Sequence, residues 1–380
     1  MSSADVVIIG GGVIGASVAW HLARLGVTDV VLLEKDISLA AGSTGRSVGG
    51  IRHQFSSAVN VRLSQVSIAQ FHRFSEDTDA PADFVWRGYL FALDNAADWA
   101  EFQTNVAMQQ ALGVDVRLLT PAEAAALVPG LMVDDLLGAT YCPLDGVGDP
   151  YAITQGYAQA ARRLGARVRI GVAATDIVVE GGRVVAVETT EGRIATRWVV
   201  NCAGPWAAQV GDLAGVDLPI VPLKRQVYIT DAFDLMPRDI PMVIDFTPSF
   251  YFRREGAGLV LGMTNKDQPP GFDLSLDRNW LDVMITQALR RAPVLAEARI
   301  MRGWAGLYDT TPDGNPILGA VPEVEGFLVA AGFSGHGFMH SPATGQVMAE
   351  MIVQGAPSID VSELGINRFT ATARREHNVI

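Results

Sequence analysis

Near its start the chain reads VVIIGGGVIGASVAWHLARLG, and no other stretch limits its possible folds as much. Val6 to Ile9 is an unbroken apolar run, as expected of a parallel strand buried on both faces. Gly10, Gly12 and Gly15 follow in GxGxxG spacing. Ala16 to Leu25 then carries apolar residues at helical intervals, and Val30 to Leu33 is a second apolar run ending in Glu34, 19 residues past Gly15. The spacing predicts a βαβ unit built for a dinucleotide. Gly10 permits the tight turn, Gly12 lets the backbone approach a pyrophosphate, and Gly15 lets helix and strand pack closely. The free N–H groups of the helix start favour an anion. Glu34 would accept hydrogen bonds from both ribose hydroxyls and repel a 2′-phosphate, which points to FAD or NAD over NADP.

At 380 residues the chain exceeds what one core usually serves, so a second domain or a large insertion is expected. Asn60 to Phe74 reads as helical, and Phe84 to Leu93 alternates like a strand of another sheet. Tyr151 to Gly165 is again helical and leads into β-branched runs, where the Glu180, Gly181, Gly182 turn is a hairpin signal. Residues 219 to 300 form a block of alternating strands with one helix near 279 to 291, and 301 to 355 returns to short runs and a helix. This alternation predicts an α/β plus α+β chain. Its Rossmann-like domain is assembled from 1–80, 145–218 and 301–380, with an inserted antiparallel-sheet substrate domain from 81–144 and 219–300.

The composition, 49% hydrophobic and 18% charged, is that of a globular enzyme, and a net charge of −12 disfavours nucleic acid and anionic membranes as partners. Cys142 and Cys202 are too few and too far apart for a disulfide framework or a cysteine metal site. The N-terminus lacks a basic region before its first strand, and no run of about 18 apolar residues occurs. A cytoplasmic protein with a small-molecule substrate and no membrane insertion is the expectation.

Four motifs recur far from the first: GSTGR at 42 to 46, VVNCAGPWA at 199 to 207, RGWAGLYDTTPDGNPILG at 302 to 319, and GFSGHGFMHSPATG at 332 to 345. With VVIIGGGVIG and VVLLEK, and in this order over nearly the whole chain, they resemble the D-amino acid oxidase superfamily of FAD-dependent oxidoreductases. The likeness is to its sarcosine oxidase, glycine oxidase and proline dehydrogenase β-subunit branch. The resemblance implies that the assembled domain binds FAD. Gly10, Gly12, Val13, Ile14, Gly15, Glu34 and Lys35 would hold the ADP half. Ser43, Thr44, Arg46, Gly49 and Gly50 would pass along the pyrophosphate and flavin. Ala174, Cys202, Ala203, Gly204 and Trp206 would belong to the second nucleotide-side segment. Gly306 would lie beside the flavin, and Gly335, His336, Gly337, Phe338 and Met339 would border its pyrimidine ring. Monomeric sarcosine oxidases attach flavin through a cysteine that matches Gly306, and the attachment histidine of mammalian-type sarcosine dehydrogenases has no counterpart here. A non-covalent FAD follows.

The same resemblance implies oxidation of a secondary or N-methylated amine of a small sarcosine-, proline- or glycine-like amino acid by hydride transfer to flavin N5, giving an imine that water hydrolyses. The alternatives are a catalytic β-like subunit of a hetero-oligomeric dehydrogenase and a 2-hydroxy acid dehydrogenase of related fold. The electron acceptor is oxygen or a redox protein, and a homo- or hetero-oligomer is possible. Sarcosine oxidases clamp the substrate carboxylate with an arginine that matches Arg52 and a lysine that matches Met339, so Arg52 alone is kept here. The carboxylate arginine of glycine oxidase aligns with Tyr308, which would cap the pocket instead. Tyr251 and Arg253, two apart on a strand, share a face that could meet the active site. His336 suits a hydrogen bond to flavin or amine, and a helix from Phe338 to Met351, with Ser341 and Pro342 in its first turn, would aim its N-terminus at the flavin. His336 and His340 lack a third ligand and the HExxH pattern, so no metal is expected. His53 ranks below them, Lys224 could be solvated or reach the site, and Trp304 reads as core.

Overall fold

A computed structural model of the chain describes residues 2–370 and 375–379. Two sheets dominate. Five strands run parallel in the order Arg167–Ile170, Val30–Glu34, Val6–Ile9, Trp198–Asn201, Phe327–Ala331, and Ile317–Ala320 closes one edge antiparallel. The VVII strand is buried along its whole length, as its unbroken apolar run requires. The helix Val13–Arg24 is buried nearly all round, because it lies between Pro150–Arg163 and Gly337–Gln354. Gly345 makes that approach possible, since a Cβ there would sit 2.2 Å from Ser17 Oγ. Pro150–Arg163 starts cleanly, with Asp149 accepting from the Tyr151 and Ala152 N–H groups and Pro150 in the first turn.

The second sheet has eight strands, in the order Ile300–Thr310, Val221–Thr230, Gly258–Met263, Phe250–Glu255, Met242–Asp245, Tyr89–Leu93, Gly138–Cys142, Arg117–Leu119. It is antiparallel apart from the parallel pair of Met242–Asp245 with Tyr89–Leu93. Phe84–Val85 and Tyr89–Leu93, read above as one strand, belong to different sheets, and Gly88 separates them with φ +83. Ile300–Thr310 pairs with Val221–Thr230 over ten residues, so the segment expected to reopen the nucleotide-binding domain at 301 is instead an edge strand of the large sheet. Its length and alternation are those of the sheet it joins. The Ala174–Glu180 and Arg183–Thr189 hairpin forms where the double glycine predicts it. Of the expected third segment, 371–374 and 380 lie outside the described residues.

Helix Gly337–Gln354 begins one residue earlier and ends three later than 338–351, and Pro342 stands inside it, beyond the first turn. The ring cannot bond back to Phe338, and the next N–H, on Ala343, turns to Ser67 Oγ at 3.2 Å. Among the described residues no helix is long and apolar enough to cross a membrane.

Candidate active site

A cavity of about 450 Å³ opens between the carboxyl ends of the parallel strands and one face of the eight-stranded sheet, the place where open α/β sheets bind ligands. At one end lies the first glycine turn. Gly10 has φ +115, and a Cβ on it would stand 2.4 Å from the Cys202 carbonyl oxygen. A Cβ on Gly15 would meet the Gly10 carbonyl at 2.0 Å, so this glycine serves helix packing and does not line the cavity. Gly12 differs: its nearest neighbour would be Thr44 Oγ1 at 3.1 Å, and its open side faces the cavity. Thr44 Oγ1 also accepts the Val13 N–H at 3.1 Å, which ties the GSTGR loop to the helix start and leaves Ile14 beside it on the cavity wall. Glu34 accepts from the N–H groups of Gly11 and Asp36, each at 2.8 Å. Burial raises its pKa, and these two N–H groups oppose the rise. Lys35 lies 3.9 Å over the Trp206 ring, and Ala174, Cys202, Ala203 and Gly204 line the wall beside them.

The 43–46 loop is fastened to the large sheet. Ser43 Oγ donates to the Leu307 carbonyl at 2.6 Å, Arg46 donates to Ala305, and Trp304 Nε1 donates to Arg46. Gly306 lines the cavity between them, while Gly49 lies off it and Gly50 on it. A Cβ on Gly50 would overlap the Tyr89 hydroxyl.

At the far end stand Arg52, Tyr251, Tyr308, Met339, Phe338, Gly337, Gly335 and His336. Arg52 is 4% exposed, lies 3.9 Å over the Phe55 ring, and donates to the carbonyls of Gln54 and Asn378 at 2.5 and 2.6 Å. It forms no ion pair among the described residues. Burial is the largest influence on it and lowers its pKa; Glu376 leads the charges that oppose this. Glu376 itself is occupied by Ser56, Ser57 and Asn60. The next residue, His53, is pinned by Asp145, which accepts from its backbone N–H and contacts Nδ1 at 2.7 Å. His336 caps the long helix, with Phe55 and His340 at ring distances of 5.2 and 5.1 Å and, among the described residues, no hydrogen-bond partner on either ring nitrogen. Burial, reinforced by His340 and Arg52, holds its pKa well below the ordinary range. His340 points away, to Ser64 Oγ at 3.0 Å.

Arg253 is not among the cavity-lining groups. It shares the strand face of Tyr251, yet farther along it donates to the Val48 carbonyl and pairs with Glu255 at 2.5 Å. Lys224 is turned away from the cavity, buried on the other face of its strand and paired with Asp273 at 2.6 Å. Its neighbour Arg225 was missed by the sequence reading and lines the cavity, as do Tyr89 and Asp309. Alternation along Val221–Thr230 carries the signal for Arg225, since it shares a face with the inward Val227. Asp309 accepts from Gly332 and Phe333, so it shapes the second glycine loop, and burial pushes its pKa up to about 6.

A strand–glycine turn–helix facing a second sheet across a cavity, with a distant glycine loop and helix start closing the far end, defines a dinucleotide-cofactor oxidoreductase. Residues 5–351 match the family described as FAD dependent oxidoreductase (DAO), and the chain belongs to that family. It is 33% identical to the L-proline dehydrogenase structure from P. horikoshii, with a TM-score of 0.92 over 98% of this chain and 100% of that one. The glycine oxidase structure from Geobacillus kaustophilus is 26% identical, with a TM-score of 0.85 over 97% and 99% of the two chains. Mitochondrial sarcosine dehydrogenase of Mus musculus is 35% identical over 97% of this chain but only 42% of its own length, so the chain spans less than half of that relative. The residues present fit FAD: Glu34 and the open Gly12 side at one end, an unpartnered imidazole and a helix N-terminus at the other.

Proposed function

We propose that the chain oxidises the C–N bond of a secondary or N-methylated amine on a small sarcosine-, proline- or glycine-like amino acid, with the resulting imine hydrolysed by water. The observation that carries this reading is Arg52, a buried guanidinium at the cavity with no carboxylate paired to it among the described residues. A cation so placed needs an anion, and a planar fork suits a carboxylate. FAD, when bound, supplies a two-electron acceptor for hydride from the carbon beside the nitrogen. Glu34, Gly12 and Val13 would hold its ADP half without a covalent bond, since Gly306 offers no nucleophile.

The remaining work falls to the side chains at the far end. Arg52 fixes the carboxylate and so orients the α-carbon. The Tyr251 and Tyr308 rings wall the cavity and exclude water. The amine must be neutral to react, and burial beside cationic Arg52 disfavours an ammonium ion. His336, neutral itself, can accept a hydrogen bond from the amine N–H at either ring nitrogen. The N-terminus of Gly337–Gln354 offers N–H dipoles to developing negative charge. Both cysteines are free and buried, which suits a reducing compartment such as the cytoplasm.

Anaerobic mixing of the FAD-loaded protein with sarcosine, N,N-dimethylglycine, proline, glycine and 2-hydroxy acids tests the reading. Bleaching of the flavin by a secondary or N-methylated amine is expected. Bleaching by 2-hydroxy acids alone would overturn it, and the rate of colour recovery in air separates oxygen from a redox protein as acceptor.

A further inference from the structure

Arg52 is not alone. Arg225 also lines the cavity, stands 4.9 Å from the Tyr308 ring centroid, and donates to the carbonyl of its neighbour Lys224 at 3.0 Å. Its Nε is buried without a hydrogen-bond partner, and it forms no ion pair among the described residues. Its position is dictated by the fold. In the Val221–Thr230 strand Lys224 and Arg225 point to opposite faces: Lys224 finds Asp273, while Arg225 faces the cavity in register with Gly306, whose missing side chain makes room for Arg46. Tyr308 lies within electrostatic reach of both Arg225 and Arg52, and both guanidiniums line the cavity. The two guanidiniums thus share one phenol as a neighbour.

Arg52 is buried and Arg225 half-buried with its Nε shut off from water; holding two guanidiniums in one cavity without an anion is costly, so the cavity suits two anions. Arg46, fastened to Ala305 and Trp304, sits on the loop whose Thr44 meets Gly12 and Val13, which makes it the natural partner of a pyrophosphate. Arg225 is ringed instead by Tyr308 and Tyr251 of the large sheet. We propose that Arg225 is a second carboxylate anchor, and that the substrate is a secondary amine bearing two carboxylate arms, one for each guanidinium. This rests on the amine reading above and narrows it. Arg52 fixes the arm on the carbon to be oxidised, Arg225 takes the other, and the nitrogen lies between them beside His336. Monocarboxylic amines then leave Arg225 half-buried and unpaired, so the site discriminates against them.

The test uses the FAD-loaded protein and two sulfur ligands without an oxidisable amine, thiodiacetate and (methylthio)acetate, titrated by calorimetry and by the flavin absorption shift. The wild type should bind thiodiacetate at least about 30-fold more tightly, the scale expected for pairing a partly desolvated charge. Arg225→Gln should narrow that ratio to about threefold or less, Arg225→Lys should restore part of it, and Arg52→Gln should weaken both ligands. Equal binding of the two ligands by the wild type overturns the proposal. So does loss of FAD from Arg225→Gln with the ligand ratio kept, which would give Arg225 to the cofactor. The amine reading fails separately: thiodiacetate reports on Arg225 whether or not any amine bleaches the flavin. If sarcosine bleaches it as fast as iminodiacetate, only the two-arm proposal falls.

Discussion

At the scale of single residues the cavity is a chain of unmet obligations. Glu34 shows the pattern: each carboxylate oxygen accepts one backbone N–H and keeps a lone pair free on the cavity side. Replacing Glu34 by Ala removes the ribose acceptor and orphans the Gly11 and Asp36 N–H groups. A charged hydrogen bond is worth about 1.5–3 kcal/mol, so the FAD dissociation constant should rise roughly tenfold to 100-fold. Fluorescence titration of apoprotein with FAD measures this, and an unchanged constant would remove Glu34 from the cofactor site. Arg253 and Arg225 teach a complementary lesson. Both are arginines on strands, and sequence spacing favoured Arg253. Only the neighbours settle the matter, because Glu255 and the Val48 carbonyl claim Arg253 while, among the described residues, nothing of opposite charge claims Arg225.

At the scale of elements the first turn separates two uses of glycine that look alike in GxGxxG. A Cβ at Gly15 strikes backbone at 2.0 Å, whereas a Cβ at Gly12 points into the cavity and meets only Thr44 Oγ1 at 3.1 Å. Gly15→Ala should therefore lower stability by about 2–3 kcal/mol, since neither helix nor strand can yield. Gly12→Ala should leave the apoprotein within about 1 kcal/mol of wild type and weaken FAD roughly tenfold or more, because it fills the cofactor's path. Urea melts of the two apoproteins, read beside their flavin content, decide this; equal losses of stability would contradict it. The long C-terminal helix is legible in the same partial way. Its glycine-rich entry is visible in the sequence. Its tolerance of Pro342 is not, since that depends on Ser67 from another helix taking the displaced N–H.

At the scale of the whole molecule, three histidines are buried neutral: His21, with a pKa near 4, His340, near 3, and His336, well below its usual range. Burial is the main cause for each. In the unfolded chain they protonate near pH 6.5, so below that value the unfolded state binds more protons and stability falls with pH. Asp309 has the opposite sign: its folded pKa of about 6 exceeds the unfolded value of about 3.9, so it favours folding at low pH and costs stability as pH rises through 6. Glu34 and Asp245, also raised by burial, act with Asp309, while Asp135 and Asp313, held below the usual carboxylate range, act with the histidines, so the three histidines set the balance. With FAD saturating, the urea midpoint should fall steadily from pH 6.5 to about 4.5, and His21→Gln should remove about a third of the histidine-driven slope. A midpoint that is flat or rises on acidification would contradict this balance.

What the residues determine by themselves is the local grammar of the chain. An apolar run, three glycines at fixed spacing and an acid 19 residues on dictate a βαβ unit with a pyrophosphate cradle, because the turn, the helix start and the strand all lie within one short segment. The double-glycine hairpin and the capped helix at Asp149 are local in the same sense. The tertiary structure alone decided which sheet Ile300–Thr310 joins, which of two neighbouring cations, Lys224 or Arg225, faces the cavity, and that Asn378 reaches Arg52 from 326 positions away. Those outcomes depend on partners far off in sequence, and a strand's alternation fixes two faces without saying which is inside.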